Sequence, residues 1–330
     1  MVIEKDRDII NNKKNILITG VAGFIGFHLA KKLIKSNHNI YGLDNLDDYY
    51  DVRLKKDRLN QIINNENFKF DNIDISDRQL LGDFFSNNKI DMVVNLAAQP
   101  GVRYSIKNPY AYMNSNLVGF LNVIECCRHN NVEGFIYASS SSVYGGNTKV
   151  PFSTLDSIDN PISLYAATKA SNELIAKTYS HLYDMNTTGL RFFTVYGPWG
   201  RPDMAYYKFT HKIFNKMPIN VYNNGNMKRD FTYIDDIVDG IISAIKNNYP
   251  CEIFNLGNNQ TELLNDFIKA IELELNMKAK INYMPLQPGD MKETFADIDK
   301  SKDMLNFNPK TNLSLGISKF ISWYKKYYNI

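Results

Sequence analysis

The sequence predicts an α/β protein: a doubly wound parallel sheet with helices on both faces, and a smaller α+β lobe interleaved with it. Three observations carry this. Short apolar runs that stop at glycine, an acid or serine alternate with stretches of helical periodicity as far as Arg191. A glycine-spaced loop lies between the first such run and the first helical stretch. Beyond Arg191 the alternation breaks, and one further strand pattern returns at Ile253-Phe254-Asn255-Leu256-Gly257. The predicted division gives residues 15–191 and 231–257 to the sheet domain, 192–230 and 258–330 to the second lobe, and 1–14 to a flexible N-terminal extension.

Composition narrows the class. The 330 residues are 44% hydrophobic and 22% charged with a net charge of +3, which suits a globular chain and gives no footprint for nucleic acid. The first fifteen residues are polar and include Glu4, Lys5, Asp6, Arg7 and Asp8, unlike a signal peptide. No apolar run approaches the roughly 18 residues of a membrane span. Cys126, Cys127 and Cys251 lack metal-ligand spacing, so no metal is expected. The expectation is a cytoplasmic protein without membrane or nucleic-acid partners.

In chain order, Asn15-Ile16-Leu17-Ile18-Thr19 reads as a buried parallel strand. Gly20-x-x-Gly23-Phe24-Ile25-Gly26 follows, then a helix from His28. Strand, glycine loop and helix is the arrangement that holds a dinucleotide pyrophosphate at a helix N-terminus. The second strand, Ile40 to Asp44, ends in an acid 21 residues after Gly23, placed to bond an adenosine ribose and favouring NAD over NADP. Phe68-Lys69-Phe70 leads to Asp74-Ile75, a candidate for adenine contact. Asp91 to Ala98 reads as a buried strand whose Leu96, Ala97 and Ala98 admit close approach of the cofactor. Tyr112 to Asn130 reads as one long helix, in which Asn116 is either capped by solvent or holds an active-site loop. Gly134 to Ser139 is the next strand, and it delivers Ser139-Ser140-Ser141-Ser142-Val143-Tyr144-Gly145 to the edge where ligands bind in open parallel sheets.

Downstream, Tyr165 and Lys169 share one helical face. A phenol titrates near about 10 in water, and a neighbouring ammonium lowers that value, which would make Tyr165 a proton acceptor.

Taken together, the glycine spacing, the Asn95-Leu96-Ala97-Ala98 strand end, the serine run and Tyr165-x-x-x-Lys169 resemble the extended short-chain dehydrogenase/reductase superfamily of Rossmann-type NAD enzymes, over nearly the whole chain. Longer stretches resemble its UDP-glucuronate 4-epimerases: Asp44 to Asp51, Ala97 to Ser105, Arg191 to Met204, and Arg229 to Asp236. Pro100 departs from the small residue expected there and removes no reactive group.

The resemblance implies an isomerase that retains NAD. Tyr165 takes the proton of the sugar 4-hydroxyl, Lys169 holds the nicotinamide ribose, and Ser140 and Ser142 bond the 4-oxygen. It also extends the cofactor set to Phe24, Ile25, Asn45, Asn116, Ser139 and Phe192. For the substrate it implies Arg103, Val221 beside the uracil, Arg229 at the diphosphate and Asp290 at the ribose, with a capped turn as the alternative for Asp290. Relatives that dehydrate or decarboxylate their sugars carry carboxylic acids where this chain has Ser141 and Ser142. Hydroxyls of Ser142 and Thr194 suit a retained C6 carboxylate. Arg201, in the rigid Pro198-Trp199-Gly200-Arg201-Pro202 loop, offers it a bidentate fork, with a solvated surface arginine as the alternative.

A homodimer through the helices Tyr112 to Asn130 and Ser163 to Tyr183 is implied; Phe120, Ile124, Leu174 and Ile175 are compatible with that face, and a monomer core would read similarly. The implied product supplies capsule or other cell-surface polysaccharide. The rivals are a 4-epimerase of UDP-N-acetylglucosamine or its uronate, net oxidoreduction with exchanging NAD, and a non-catalytic nucleotide-sugar sensor.

Overall fold

The computed structural model describes residues 13–287 and 291–330. Most of the expected N-terminal extension, and Asp290, lie outside the described residues. The sheet has seven strands, all parallel. Its order is Cys251–Leu256, β6 (Thr187–Phe192), β5 (Gly134–Ser140), β4 (Met92–Asn95), β1 (Asn15–Thr19), β2 (Asn39–Leu43) and β3 (Phe68–Asp71). The chain runs outward from β1 through β2 to β3, then returns to the other side of β1 as β4. The order therefore reverses between β1 and β4, and a crevice opens at their carboxyl ends.

Central parallel strands are apolar on both sides because helices cover both faces. Ile16, Ile18, Val94 and Ile136 point to one face, where they meet helices Phe24–Ile34 and Ile234–Asn247. Leu17, Val93, Phe135 and Tyr137 point to the other, against helices Arg78–Asn87 and Gly119–His129. The strand expected over Asp91 to Ala98 is shorter, Met92–Asn95; Leu96 onward turns away at the crevice.

The helix expected over Tyr112 to Asn130 contains a widened π-helical turn, Met113–Val118, between Pro109–Tyr112 and Gly119–His129. Phe120 and Ile124 are buried in the core, so neither side chain is left to face a partner. The exposed large apolar residues on that pair of helices are Met113, Val118, Leu121, Leu174, Leu182 and Tyr183.

Beyond β6, Thr194–Tyr196 pairs with Phe231–Tyr233, and Ile219–Tyr222 with Ile281–Met284. Helices Ala205–Phe214, Leu264–Leu275 and Leu313–Tyr328 pack around them. Five helices end on a non-glycine residue in the left-handed region: Asp184, Asn248, Asn276, Asn306 and Asn329.

The helix Leu164–Tyr183 is fixed to the sheet by a buried ion pair. Arg191 on β6 donates to both oxygens of Glu173 at 2.9 and 2.8 Å and to the Tyr144 hydroxyl at 2.9 Å. Removing one partner strands the other charge in the interior. Glu173→Ala is expected to lower the unfolding free energy by about 3–5 kcal/mol, read from urea denaturation.

Candidate active site

A single cavity of about 940 Å³ runs along the carboxyl edge of the sheet and under the second lobe. On the sheet side it is lined by the glycine loop, by Leu96, Ala97 and Ala98, by Ser139 to Ser142, and by Tyr165 and Lys169. The glycines are needed for closeness. Gly20 has φ +70°, and a Cβ there would lie 2.8 Å from the Ala97 nitrogen; one on Gly26 would lie 2.3 Å from the Gly20 carbonyl oxygen. Gly23 caps the helix Phe24–Ile34 with no side-chain hydrogen bond, which leaves its first N–H groups for an anion. Asp44 accepts from the Ala22 and Leu46 backbone N–H groups at 3.1 and 2.9 Å and keeps acceptor capacity towards the cavity. Lys55 lies 3.8 Å from it. Asn45 donates to Asp74 at 2.8 Å, and Ile75 closes that end.

The residues expected to be catalytic come together where β5 meets the helix Leu164–Tyr183, whose N-terminus Ser163 caps at 3.1 Å to Ala166 N–H. Ser140 accepts from Ser142 N–H at 3.1 Å and shares a hydrogen bond with the Tyr165 phenol. Lys169 Nζ donates 2.8 Å to the Ala138 carbonyl. The acidity expected from Lys169 is not what this environment gives. Burial pushes the Tyr165 phenol above its ordinary value, while the Ser140 hydrogen bond and the Arg201 charge pull it back. Burial lowers Lys169 to about 8, so its ammonium is itself disfavoured. The Ser139 hydroxyl is turned to Glu173 instead of the cavity.

Asn116, expected at the cofactor, does not line the cavity. Its amide bonds the Gln99 backbone N–H and carbonyl at 2.7 and 3.1 Å and the Thr168 hydroxyl at 3.1 Å. Of the two sequence alternatives, it holds the loop.

On the lobe side, Phe192, Thr194, Arg103, Arg201 and Arg229 line the cavity. Val221 does not: strand alternation buries it with Ile219, and Asn220 and Tyr222 face the cavity instead. Arg103 stacks over the Tyr222 ring at 4.5 Å. Arg229 donates to the Met291 carbonyl at 2.6 Å. Arg201 is part-buried and holds a carboxylate bidentately, that of Asp203, at 3.0 and 2.6 Å. Tyr49 adds a hydrogen bond to Asp203 at 3.3 Å. Burial works against the Asp203 carboxylate, and the Arg201 charge and hydrogen bonds outweigh it, holding it below the usual carboxylate range. Spacing assigns no role to Tyr49, Asp203, Asn220 or Tyr222; only the polar–apolar alternation of Ile219 to Tyr222 signals the last two.

Lys169 also gives a pH dependence. Its folded value lies below its unfolded value, so its contribution to stability is present above about 10.5 and lost as pH falls towards about 8. In the ligand-free protein, wild type minus Lys169→Met unfolding free energy is expected to rise between pH 8 and 10, measured by urea denaturation.

Residues 16–257 match the sequence profile of the NAD dependent epimerase/dehydratase family. The chain is 54% identical to Protein CapI of Staphylococcus aureus, over 95% of this chain and 99% of that one. It is 44% identical to UDP-glucuronate 4-epimerase 4 of Arabidopsis thaliana, over 98% and 78%. Its fold is similar to the crystal structure of UDP-glucuronic acid 4-epimerase from Bacillus cereus in complex with UDP-glucuronic acid and NAD, with a TM-score of 0.90, 33% identity, and 95% and 100% of the two chains covered. On this match the chain belongs to the NAD-dependent epimerase/dehydratase family.

Proposed function

We propose that the protein interconverts UDP-glucuronate and UDP-galacturonate by epimerising C4 through a transient 4-keto sugar, with NAD retained. One observation carries the reading: Tyr165 and Ser140 share a cavity with Arg201, a guanidinium that gives Nε and Nη2 to Asp203 and has its Nη1 donors beyond that pair.

The residues fit NAD. The closely packed glycines, the open helix N-terminus and the cavity-facing Asp44 provide a pyrophosphate cradle and a ribose acceptor. When bound, NAD supplies the hydride acceptor and donor. Tyr165 takes the proton of the sugar 4-hydroxyl and returns it, and Ser140 steadies the oxygen. Lys169, which spends one N–H on Ala138, keeps two for the nicotinamide ribose. Arg201, through the Nη1 donors that Asp203 does not take, holds the C6 carboxylate with Thr194 and Ser142, and Arg229 and Arg103 face the diphosphate end.

Ser141 and Ser142 place no acid beside the reacting carbons, and Asp203, held ionised by Arg201, offers no proton. The 4-keto uronate is a β-keto acid, and with no acid beside its reacting carbons the loss of its carboxylate as CO2 is not assisted. Asp290 completes the proposed substrate set at the ribose. The division into a cofactor domain and an interleaved substrate lobe belongs to the same reading. So does a cytoplasmic homodimer through exposed Val118, Leu121 and Leu174, making a precursor for cell-surface polysaccharide. Among the described residues no helix is long and apolar enough to cross a membrane.

Incubation with UDP-glucuronate, without added reductant, is expected to give the same mixture with UDP-galacturonate from either side, resolved by chromatography. Release of CO2 with UDP-xylose would overturn the assignment of the serines. Turnover of UDP-N-acetylglucosamine alone would move the substrate. Tyr165→Phe should keep NAD, fold normally and lose about 10²–10⁴-fold in turnover.

A further inference from the structure

Arg58 lies on the helix Val52–Asn60, outside the cavity, and is completely buried. A guanidinium has five N–H donors, and all five are used. Nε and one Nη2 hydrogen go to the Trp199 carbonyl at 3.0 and 2.7 Å, and the other Nη2 hydrogen goes to the Gly200 carbonyl at 3.1 Å. Nη1 reaches the Ala22 carbonyl and the Tyr50 hydroxyl, both at 2.8 Å. Its acceptors therefore come from two distant segments: the glycine loop, through Ala22, and the loop that carries Arg201, through Trp199 and Gly200.

The second of these loops needs holding. Trp199 has φ +59°, a left-handed conformation that bulky residues seldom adopt, and it sits two residues before Arg201. A second tether grips the same loop. His28, on the helix that starts in the glycine loop, is 2.9 Å from the Pro198 carbonyl through Nε2, which must donate because the carbonyl only accepts. Burial lowers His28 to about 4, so it stays a neutral donor at ordinary pH. Neither side chain lines the cavity.

We infer that Arg58 is a positioning residue that sets where Arg201 stands relative to the cofactor loop, so that preference for a uronate over a neutral hexose depends on a guanidinium the sugar never touches. This rests on the reading of Arg201 as the group that binds the carboxylate. Lysine keeps the charge but has three donors, so Arg58→Lys must drop at least two of the five bonds. A role confined to stability would lower the melting temperature and weaken all ligands alike.

The test uses the NAD-loaded protein and compares dissociation constants for UDP-glucuronate, UDP-glucose and UDP by calorimetry. Arg58→Lys is expected to keep its NAD and its affinity for UDP. It should lose about tenfold in preference for UDP-glucuronate over UDP-glucose, the size of one lost charge-assisted hydrogen bond. Should that variant fail to fold, His28→Phe keeps the ring, removes the other tether, and should show the same selective loss to a smaller degree. Arg201→Gln serves as the reference. If it keeps the preference, the carboxylate reading fails and this inference with it. If Arg201→Gln loses the preference while Arg58→Lys, or in its place His28→Phe, retains it, the tether alone is overturned.

Discussion

The arrangement of the site depends on the ion pair between Glu173 and Arg191. Glu173 stands eight residues beyond Tyr165 and four beyond Lys169, two turns and one turn along the same helical face. Arg191 is on β6, beside β5, and β5 ends in the serines. The pair thus fixes the helix that brings the phenol against the strand end that brings the hydroxyls. Ser139 and Tyr144 bond into the same cluster, so both ends of the serine run are tied to it. Desolvating two charges costs more than a surface contact returns; here the return is register between two elements that carry chemistry.

The proton chemistry is likewise set by packing instead of by the Tyr-x-x-x-Lys pattern alone. Spacing puts an ammonium beside a phenol, but the interior disfavours charge on either. Tyr165 is raised and Lys169 lowered by the same loss of water. What favours the phenolate is Ser140, from the facing strand, and the charge of Arg201, from the second lobe. The acidity of the tyrosine therefore depends on both halves of the molecule, through the loop that carries Arg201 as well as through Ser140.

Much of this was legible in the sequence. Buried parallel strands write themselves as unbroken apolar runs, and β1, β5 and the glycine loop stand where the pattern places them. The long stretches around Arg191 to Met204 and Arg229 to Asp236 point to the family without any structure. What periodicity withholds is which partner a face will meet. Phe120 and Ile124 read equally well as a dimer seam or as core, and the sheet claims them. Val221 and Tyr222 read as neighbours on one strand, yet only the second reaches the cavity. Asn116, Asp203 and Arg58 act through residues 17, 2 and 141 positions away respectively, and of the three only Asn116, polar within an apolar helical stretch, shows in the sequence.

The five helices that end on left-handed asparagine or aspartate have an effect that no native contact displays. Glycine is the usual occupant of such an end, and it enters the turn easily because it is equally free in the unfolded chain. Asp184, Asn248, Asn276, Asn306 and Asn329 reach the same backbone angles with a side chain attached. The denatured chain is stiffer at those five points, so folding forfeits less disorder there. Against that saving stands the cost of carrying a side chain at positive φ, which asparagine and aspartate bear better than other residues because their short polar side chains hydrogen-bond locally.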